Sequence, residues 1–135
     1  MKLDVIRLDE GQAGQPPEPG NFIGRVRMQN LAVAGDAGGI ELLAVFFDAG
    51  ARTRPHIHPT DQVLYFVRGS GFVIFPGEEE QRVEEGGLVV VPAGELHMHG
   101  ATGEEPICHL ALRAPGITDW DPPVPDEWRQ FTQAQ

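Results

Sequence analysis

The sequence has a single cysteine, Cys108, among its 135 residues, so an intrachain disulfide cannot form. A chain that makes no use of disulfides is typical of a reducing compartment, and we expect a cytoplasmic protein. Cys108 lies within an apolar run, and cysteine is among the residue types most often buried. We therefore interpret Cys108 as a small core residue and not as a nucleophile.

Basic residues are also scarce, with ten Lys and Arg against twenty Asp and Glu, a formal net charge of −10. Binding to nucleic acid needs a basic face, and binding to an anionic membrane surface needs the same charge. No apolar run approaches the roughly 18 residues of a membrane span, and the N-terminus lacks the apolar centre of a signal peptide. We expect a small-molecule partner, with neither nucleic acid nor membrane.

An apolar period of 3.6 residues is missing before residue 125. Short apolar or alternating segments occur instead, separated by turns such as the one predicted at 35–39. The predicted strands lie within 1–10, 22–33, 40–47, 62–67, 72–75, 81–83, 88–91, 96–99 and 107–112. Eight or more short strands joined by Gly- and Pro-rich turns predict an all-β sandwich or barrel.

The chain is long enough for one domain with a sizeable core, which we place at 1–135, with a barrel at about 22–113 and a tail at 114–135. In the tail, Asp126 is the predicted N-cap of a short helix. We expect Trp120 to pack the tail across the barrel or onto a neighbouring subunit, with simple packing favoured over ligand stacking. Segment 40–47 is apolar on both faces, which favours a homodimer that covers its outer face.

Histidines carry the strongest chemical signal. Side chains two residues apart on a strand point to the same face, so His56 and His58 can present two imidazoles to one point. Gln62 has the same parity, and His97 arrives from a later strand. Several neutral imidazoles gathered with an oxygen donor form a metal site. The alternative for Gln62 is a hydrogen bond to a ligand or to a bound water.

The spacing around these residues resembles the two motifs of the cupin family. The residues that match the first motif are Gly50, His56, His58, Gln62 and Gly69, and those that match the second are Gly86, Pro92, Gly94 and His97. The chain departs from the common pattern at Gln62, where Glu is usual, and at Ala101, where Asn is common. The resemblance implies a double-stranded β-helix, the jelly-roll cupin barrel, followed here by a short C-terminal helix or tail.

Within the cupins, the chain is most similar to small single-domain bacterial manganese cupins, some of which are hydroxynitrile lyases. That resemblance implies one divalent ion held by His56, His58, Gln62 and His97, with manganese favoured and nickel, zinc or iron as alternatives. All four side chains would be neutral, so the ion would keep its full positive charge. Such a site favours Lewis-acid chemistry and anion binding.

Three further residues are candidates for catalysis. His99 shares strand parity with His97, and His109 shares parity with Ile107 in the last strand, so both are expected to point into the barrel. Each could act as a general base or could orient a metal ligand through a hydrogen bond. Thr53 is expected to add a hydroxyl to the cavity rim, as the resemblance to the lyase-type cupins implies.

These patterns predict a metal-dependent cupin that acts on a small molecule, with the metal as a Lewis acid. The reaction would be of a lyase or isomerase type, including the cyanohydrin cleavage that the resemblance implies, or that of a dioxygenase. The alternative function is a non-catalytic module that binds metal and ligand as a sensor. The fold alone cannot separate these, since one fold hosts many chemistries.

Overall fold

The computed structural model describes residues 1–3, 5–32 and 39–132. Within them, ten β-strands form two antiparallel five-stranded sheets. The strands are β1 Phe22–Ile23, β2 Val26–Ala32, β3 Glu41–Phe47, β4 Arg52–Thr53, β5 Gln62–Arg68, β6 Gly71–Ile74, β7 Gln81–Val83, β8 Leu88–Val91, β9 Met98–Ala101 and β10 Ile107–Arg113. The predicted turn at 35–39 falls mostly outside the described residues.

The first sheet has the order β2-β3-β10-β5-β8 and the second has the order β1-β4-β9-β6-β7. The last strand of the barrel, β10, therefore lies between β3 and β5. It is paired with β3 over its whole length and with β5 from Cys108 to Arg113. This interleaving of early and late strands in two facing sheets is that of a jelly roll. The predicted all-β fold is confirmed.

The core lies between the two sheets and is built from alternate residues of each strand. In β3, Val45 and Phe47 face inward and are almost fully buried, and they meet Leu64 and Phe66 of β5. In β5 the period of two that is visible in the sequence is also the pattern of burial. One end of this apolar interior passes into the cavity that contains the histidines.

The outer face of β3 is buried within the single chain, which was not expected. Ala44 and Phe46 pack with Cys108 and with Ala13 from the N-terminal segment. Glu10 fixes the N-terminal segment over this face through ion pairs with Arg27 at 2.7 Å and with Arg68 at 2.8 Å. Burial of this face therefore does not require a second subunit, and the homodimer stays a prediction.

Cys108 belongs to that same outer cluster and is 1% exposed. Burial raises the pKa of its thiol to about 11, so the reactive thiolate form is suppressed. The interpretation of Cys108 as a core residue fits its surroundings.

Two predictions about the ends of the chain are wrong. The described residues before Glu10 form no strand, because no sheet edge pairs with them, and Leu3 and Val5 are exposed. In the tail, the short helix is a 3-10 helix, Asp126–Phe131, whose N-cap is Pro125 and not Asp126.

Among the described residues, there is no helix with the length and apolar character of a membrane span.

Candidate metal centre

His56 and His97 are brought together by the backbone. His56 follows the short strand β4, His97 precedes β9, and each backbone N–H donates to the other residue's carbonyl oxygen at 3.1 Å. Their rings lie 4.3 Å apart between centroids. Two histidines 41 positions apart in the chain are thus held side by side by a two-residue bridge.

The hydrogen bonds of the Nδ1 atoms fix the tautomers of the His56 and His97 rings. Nδ1 of His56 donates to the carbonyl oxygen of Arg54 at 2.8 Å, and Nδ1 of His97 donates to that of Glu95 at 2.9 Å. A carbonyl oxygen can only accept, so in the neutral ring the proton must be on Nδ1 and the lone pair on Nε2. Metal-binding histidines are commonly oriented in this way.

His58 and Gln62 complete the group that was predicted from the sequence. Nδ1 of His58 lies 2.9 Å from the hydroxyl of Thr118, and Gln62 is the first residue of β5. Among the described residues, Nε2 of His58, Oε1 of Gln62 and Nε2 of His97 are buried without any hydrogen-bond partner. Buried polar atoms are almost always paired, so each of these three atoms is a candidate for a partner such as a cation.

The tightest trio of histidines differs from the predicted one. One ring nitrogen each of His56, His97 and His99 lie within 4.8 Å of one another. His58 stands beside this trio, with its ring centroid 4.8 Å from that of His56 and 5.6 Å from that of His97. The cluster could hold a metal ion. By distance alone, His99 is as good a candidate for the third histidine ligand as His58.

His99, unlike His58, is hydrogen-bonded to another histidine outside the trio. Its Nδ1 lies 3.0 Å from Nε2 of His109, and its backbone N–H donates to the hydroxyl oxygen of Thr53 at 3.1 Å. His109 comes from β10 in the first sheet, where it packs between Phe47 and Phe66. The three residues predicted as catalytic therefore form one connected group.

Burial lowers the pKa of every histidine in the chain. It is lowered to about 4 for His97 and to about 3 for His58 and His109, and well below the usual value for His56 and His99. For His58, the charges of His97 and Arg113 add to the effect of burial. All five rings are therefore neutral at neutral pH, which is the form that offers lone pairs.

The cluster opens into a cavity of about 210 Å³ whose wall is mainly apolar. Two tail residues that the sequence did not single out for the site help to form it. Thr118 contacts His58, and Trp120 stacks on the ring of His56 at 4.3 Å between centroids. Asp119 pairs with Ile57 through the backbone, which holds this part of the tail over the site. Packing of Trp120 was expected, but nothing in the sequence of the Pro-rich tail indicated that it would contact His56, a candidate metal-binding residue.

Comparisons with known proteins agree with this architecture. The cupin domain family matches residues 44–112. An (R)-mandelonitrile lyase from Granulicella tundricola is 33% identical over 128 residues, which cover 93% of this chain and 97% of that protein.

Two solved structures extend the likeness to the fold. A cupin-like protein from Thermotoga maritima has a TM-score of 0.71 at 29% identity, with 84% of this chain and 90% of that chain covered. The polyketide cyclase RemF from Streptomyces resistomycificus has a TM-score of 0.73 at 17% identity, with 96% and 94% covered.

Proposed function

Because the chain belongs to the cupin family, we propose that it is a metal-dependent enzyme that acts on a small molecule. We assign the ion to His56, His58, Gln62 and His97. The observation that carries the proposal is the set of three buried atoms without a partner, which belong to three of these four side chains. Nε2 of His56 is the fourth ligand, because its tautomer leaves a lone pair there.

His99 is left out of the ligand set because we assign its ring, which is hydrogen-bonded to His109, to proton transfer. A metal bound to this neutral set would polarise a substrate oxygen as a Lewis acid. Mn²⁺ is the proposed ion, although imidazole-rich sites bind Zn²⁺ and Ni²⁺ more tightly. The metal bound in a purified sample therefore has to be identified and then exchanged for Mn²⁺.

The reaction that we propose is the reversible cleavage of a cyanohydrin, the class of substrate in the name of the mandelonitrile lyase. The hydroxyl proton would pass to His99, which lines the cavity and is backed by His109. The bond between the carbinol carbon and the nitrile carbon would break, and its electron pair would leave with cyanide. Cyanide would take up the proton held by His99, so that the base is regenerated and the products are an aldehyde and hydrogen cyanide.

Thr53 is assigned a positioning role in this reaction. Its oxygen accepts from the backbone of His99, and its own O–H proton remains available for a substrate at the cavity wall. A buried hydroxyl of this kind orients a ligand without changing the charge of the site. The mainly apolar wall suits the hydrocarbon part of a small aldehyde.

The test begins with metal analysis by mass spectrometry of the protein reconstituted with Mn²⁺, followed by release of benzaldehyde from mandelonitrile. We expect about one ion per chain in the wild type and a loss of both ion and turnover in His97→Ala. Gln81→Ala, an exposed change in β7, is the matched control and should keep both.

The outcomes separate the competing functions. Metal with turnover supports a lyase, and consumption of oxygen without release of cyanide would support a dioxygenase instead. Metal and ligand binding with no turnover of aldehydes, hydroxy acids or cyanohydrins would support a sensor module. A wild-type protein that binds no metal under any of these conditions would contradict the proposal.

A further inference from the structure

Arg113 occupies a place in the cavity that neither the fold nor the proposed lyase chemistry requires. It is the last residue of β10, where it pairs across the sheet with Gln62 on one side and with Glu41 on the other. Paired residues on neighbouring strands point to the same face. Glu41, Arg113 and Gln62 accordingly form a row along one wall, and all three line the cavity.

The guanidinium of Arg113 is poorly satisfied for its degree of burial. Its side chain is 14% exposed, and among the described residues its one hydrogen bond runs from Nη1 to the carbonyl oxygen of Gly116 at 2.9 Å. Glu41 lies 3.6 Å from Nη2, which is beyond the roughly 2.7–2.9 Å of a charge-assisted hydrogen bond. A guanidinium has five N–H donors in a planar fork, so most of them are left for another partner.

The local charge also differs from that of the whole chain. The chain carries a formal net charge of −10, yet the ligand set of the proposed metal site is neutral. Arg113 and Glu41 offset each other, and Glu18 at the exposed rim adds one negative charge. A divalent ion in this cavity would therefore leave its interior positive, and a positive cavity in an acidic protein attracts small anions.

We propose that Arg113 recognises a carboxylate, and that the same cavity therefore also takes a second class of ligand beside cyanohydrins, the small 2-hydroxy or 2-oxo acids. This inference rests on the proposed metal site. Arg113 and Gln62 are paired on neighbouring strands and line the same small cavity, so a small acid with its carboxylate on the guanidinium could place an oxygen of a neighbouring carbon at the ion. A carboxylate with an oxygen on the adjacent carbon has this form, and the fork of arginine matches a carboxylate with two parallel hydrogen bonds.

The test uses mandelate and mandelamide, which share a phenyl ring and a hydroxyl and differ in charge at one end. Binding of each is measured by calorimetry to the manganese-loaded and to the metal-free protein. We expect the wild type to prefer mandelate, and Arg113→Gln to weaken mandelate binding by about ten- to hundredfold with little effect on mandelamide. Arg113→Lys, which keeps the charge without the fork, should lie between the two.

Two further variants make the result independent of any misfolding of Arg113→Gln. Glu41→Gln removes the competing carboxylate and should strengthen mandelate binding, which is the opposite direction. Arg82→Gln removes an exposed arginine of β7 that forms an ion pair with Glu84. It should change the affinity for neither mandelate nor mandelamide. Mandelate binding that is unaffected by both Arg113→Gln and Glu41→Gln would overturn the inference, as would a wild type that binds neither probe.

The metal-free measurement separates this inference from the proposed function. A protein that never loads metal, but whose preference for mandelate depends on Arg113, would refute the metal enzyme and support the anion site. A protein that loads metal and binds both probes equally well would leave the metal site standing and refute the role of Arg113.

Discussion

Nδ1 of His99 and Nε2 of His109 lie 3.0 Å apart, and this hydrogen bond joins the two sheets across the interior of the barrel. His99 comes from β9 of the second sheet and His109 from β10 of the first. One proton lies between the two rings in their neutral forms, because one nitrogen must donate and the other accept. Nδ1 of His109 is buried without a partner among the described residues, so the pair ends in the apolar core.

This pair predicts a separation of metal binding from turnover. We expect His99→Ala and His109→Phe to keep the metal but to lower turnover by about 10²- to 10⁴-fold, the usual contribution of a general base. Phenylalanine suits position 109 because the ring already packs between Phe47 and Phe66. Metal content and the rate of benzaldehyde release are measured on the same samples. Loss of metal from His99→Ala would show that His99 is a ligand or orients one.

Acid should destabilise the metal-free protein, in part through His109. Burial lowers the pKa of His109 from 6.5 to about 3 in the folded state. As the pH falls below 6.5, the unfolded chain takes up a proton that the folded chain refuses, so stability is full above 6.5 and is lost as the pH falls towards 3. The slope for one group is at most about 1.4 kcal/mol per pH unit.

His109→Phe isolates that contribution. Urea unfolding of the metal-free wild type and of this variant is compared at several values between about pH 4 and about pH 7, which cover most of the interval over which the contribution is lost. The variant should lose stability less steeply with acid. Parallel curves for the two proteins would mean that His109 is protonated equally in the folded and unfolded states.

Gln62→Glu tests the importance of a neutral ligand set. A carboxylate at this position should hold the ion at least as tightly as the amide, because it adds an opposite charge. The same charge would reduce the positive potential of the cavity and would lie beside Arg113 in the neighbouring strand. We expect metal content to be retained and the affinity for mandelate to fall. Retained mandelate affinity would show that the charge of the site does not govern anion binding.

Thr118→Val tests the part that the tail plays in the site. Valine keeps the shape of threonine but removes the hydroxyl 2.9 Å from Nδ1 of His58. Partners of this kind, which orient a ligand, are typically worth 10- to 100-fold in metal affinity. Competition with a chelator measures the change, and Thr132→Val at the exposed end of the last helix is the matched control. Equal affinities in the two variants would show that the tail does not orient His58.

Gly100→Ala should destabilise the fold at the centre of the second sheet. A Cβ at Gly100 would lie 2.5 Å from the carbonyl oxygen of Ala51 and 2.6 Å from Cα of Arg52, both backbone atoms. Overpacking of this kind typically costs about 1–3 kcal/mol. Gly103→Ala is the matched control, because nothing lies within 4 Å of its added Cβ. Denaturant unfolding should show a loss in the first variant and little change in the second.

The parts of the fold that could be predicted are those that repeat locally. Alternation along β3 and β5 follows directly from the pleat, and the pair His56 and His58 share a face for the same reason. Parity also placed His109 beside the buried Ile107 and Ala111. The N-terminal residues had a similar apolar spacing but no partner strand, which a periodicity argument cannot reveal.

The contacts that a local pattern cannot predict are those between distant segments. Arg113 beside Gln62, Thr118 on His58 and the cover that Glu10 closes over Phe46 all depend on which strands become neighbours. That order is set by the global packing of two sheets, in which β10 inserts between β3 and β5.

The sequence by itself determined that the chain is all-β and which side chains could bind a metal, because strand parity and donor chemistry are properties of a few adjacent residues. Only the tertiary structure decided which lone pairs are left unpaired, that His99 is hydrogen-bonded to His109, and that Arg113 is paired with Gln62 on the neighbouring strand. Those features arise from burial and from pairing between distant strands, and both exist only once the two sheets have closed on each other.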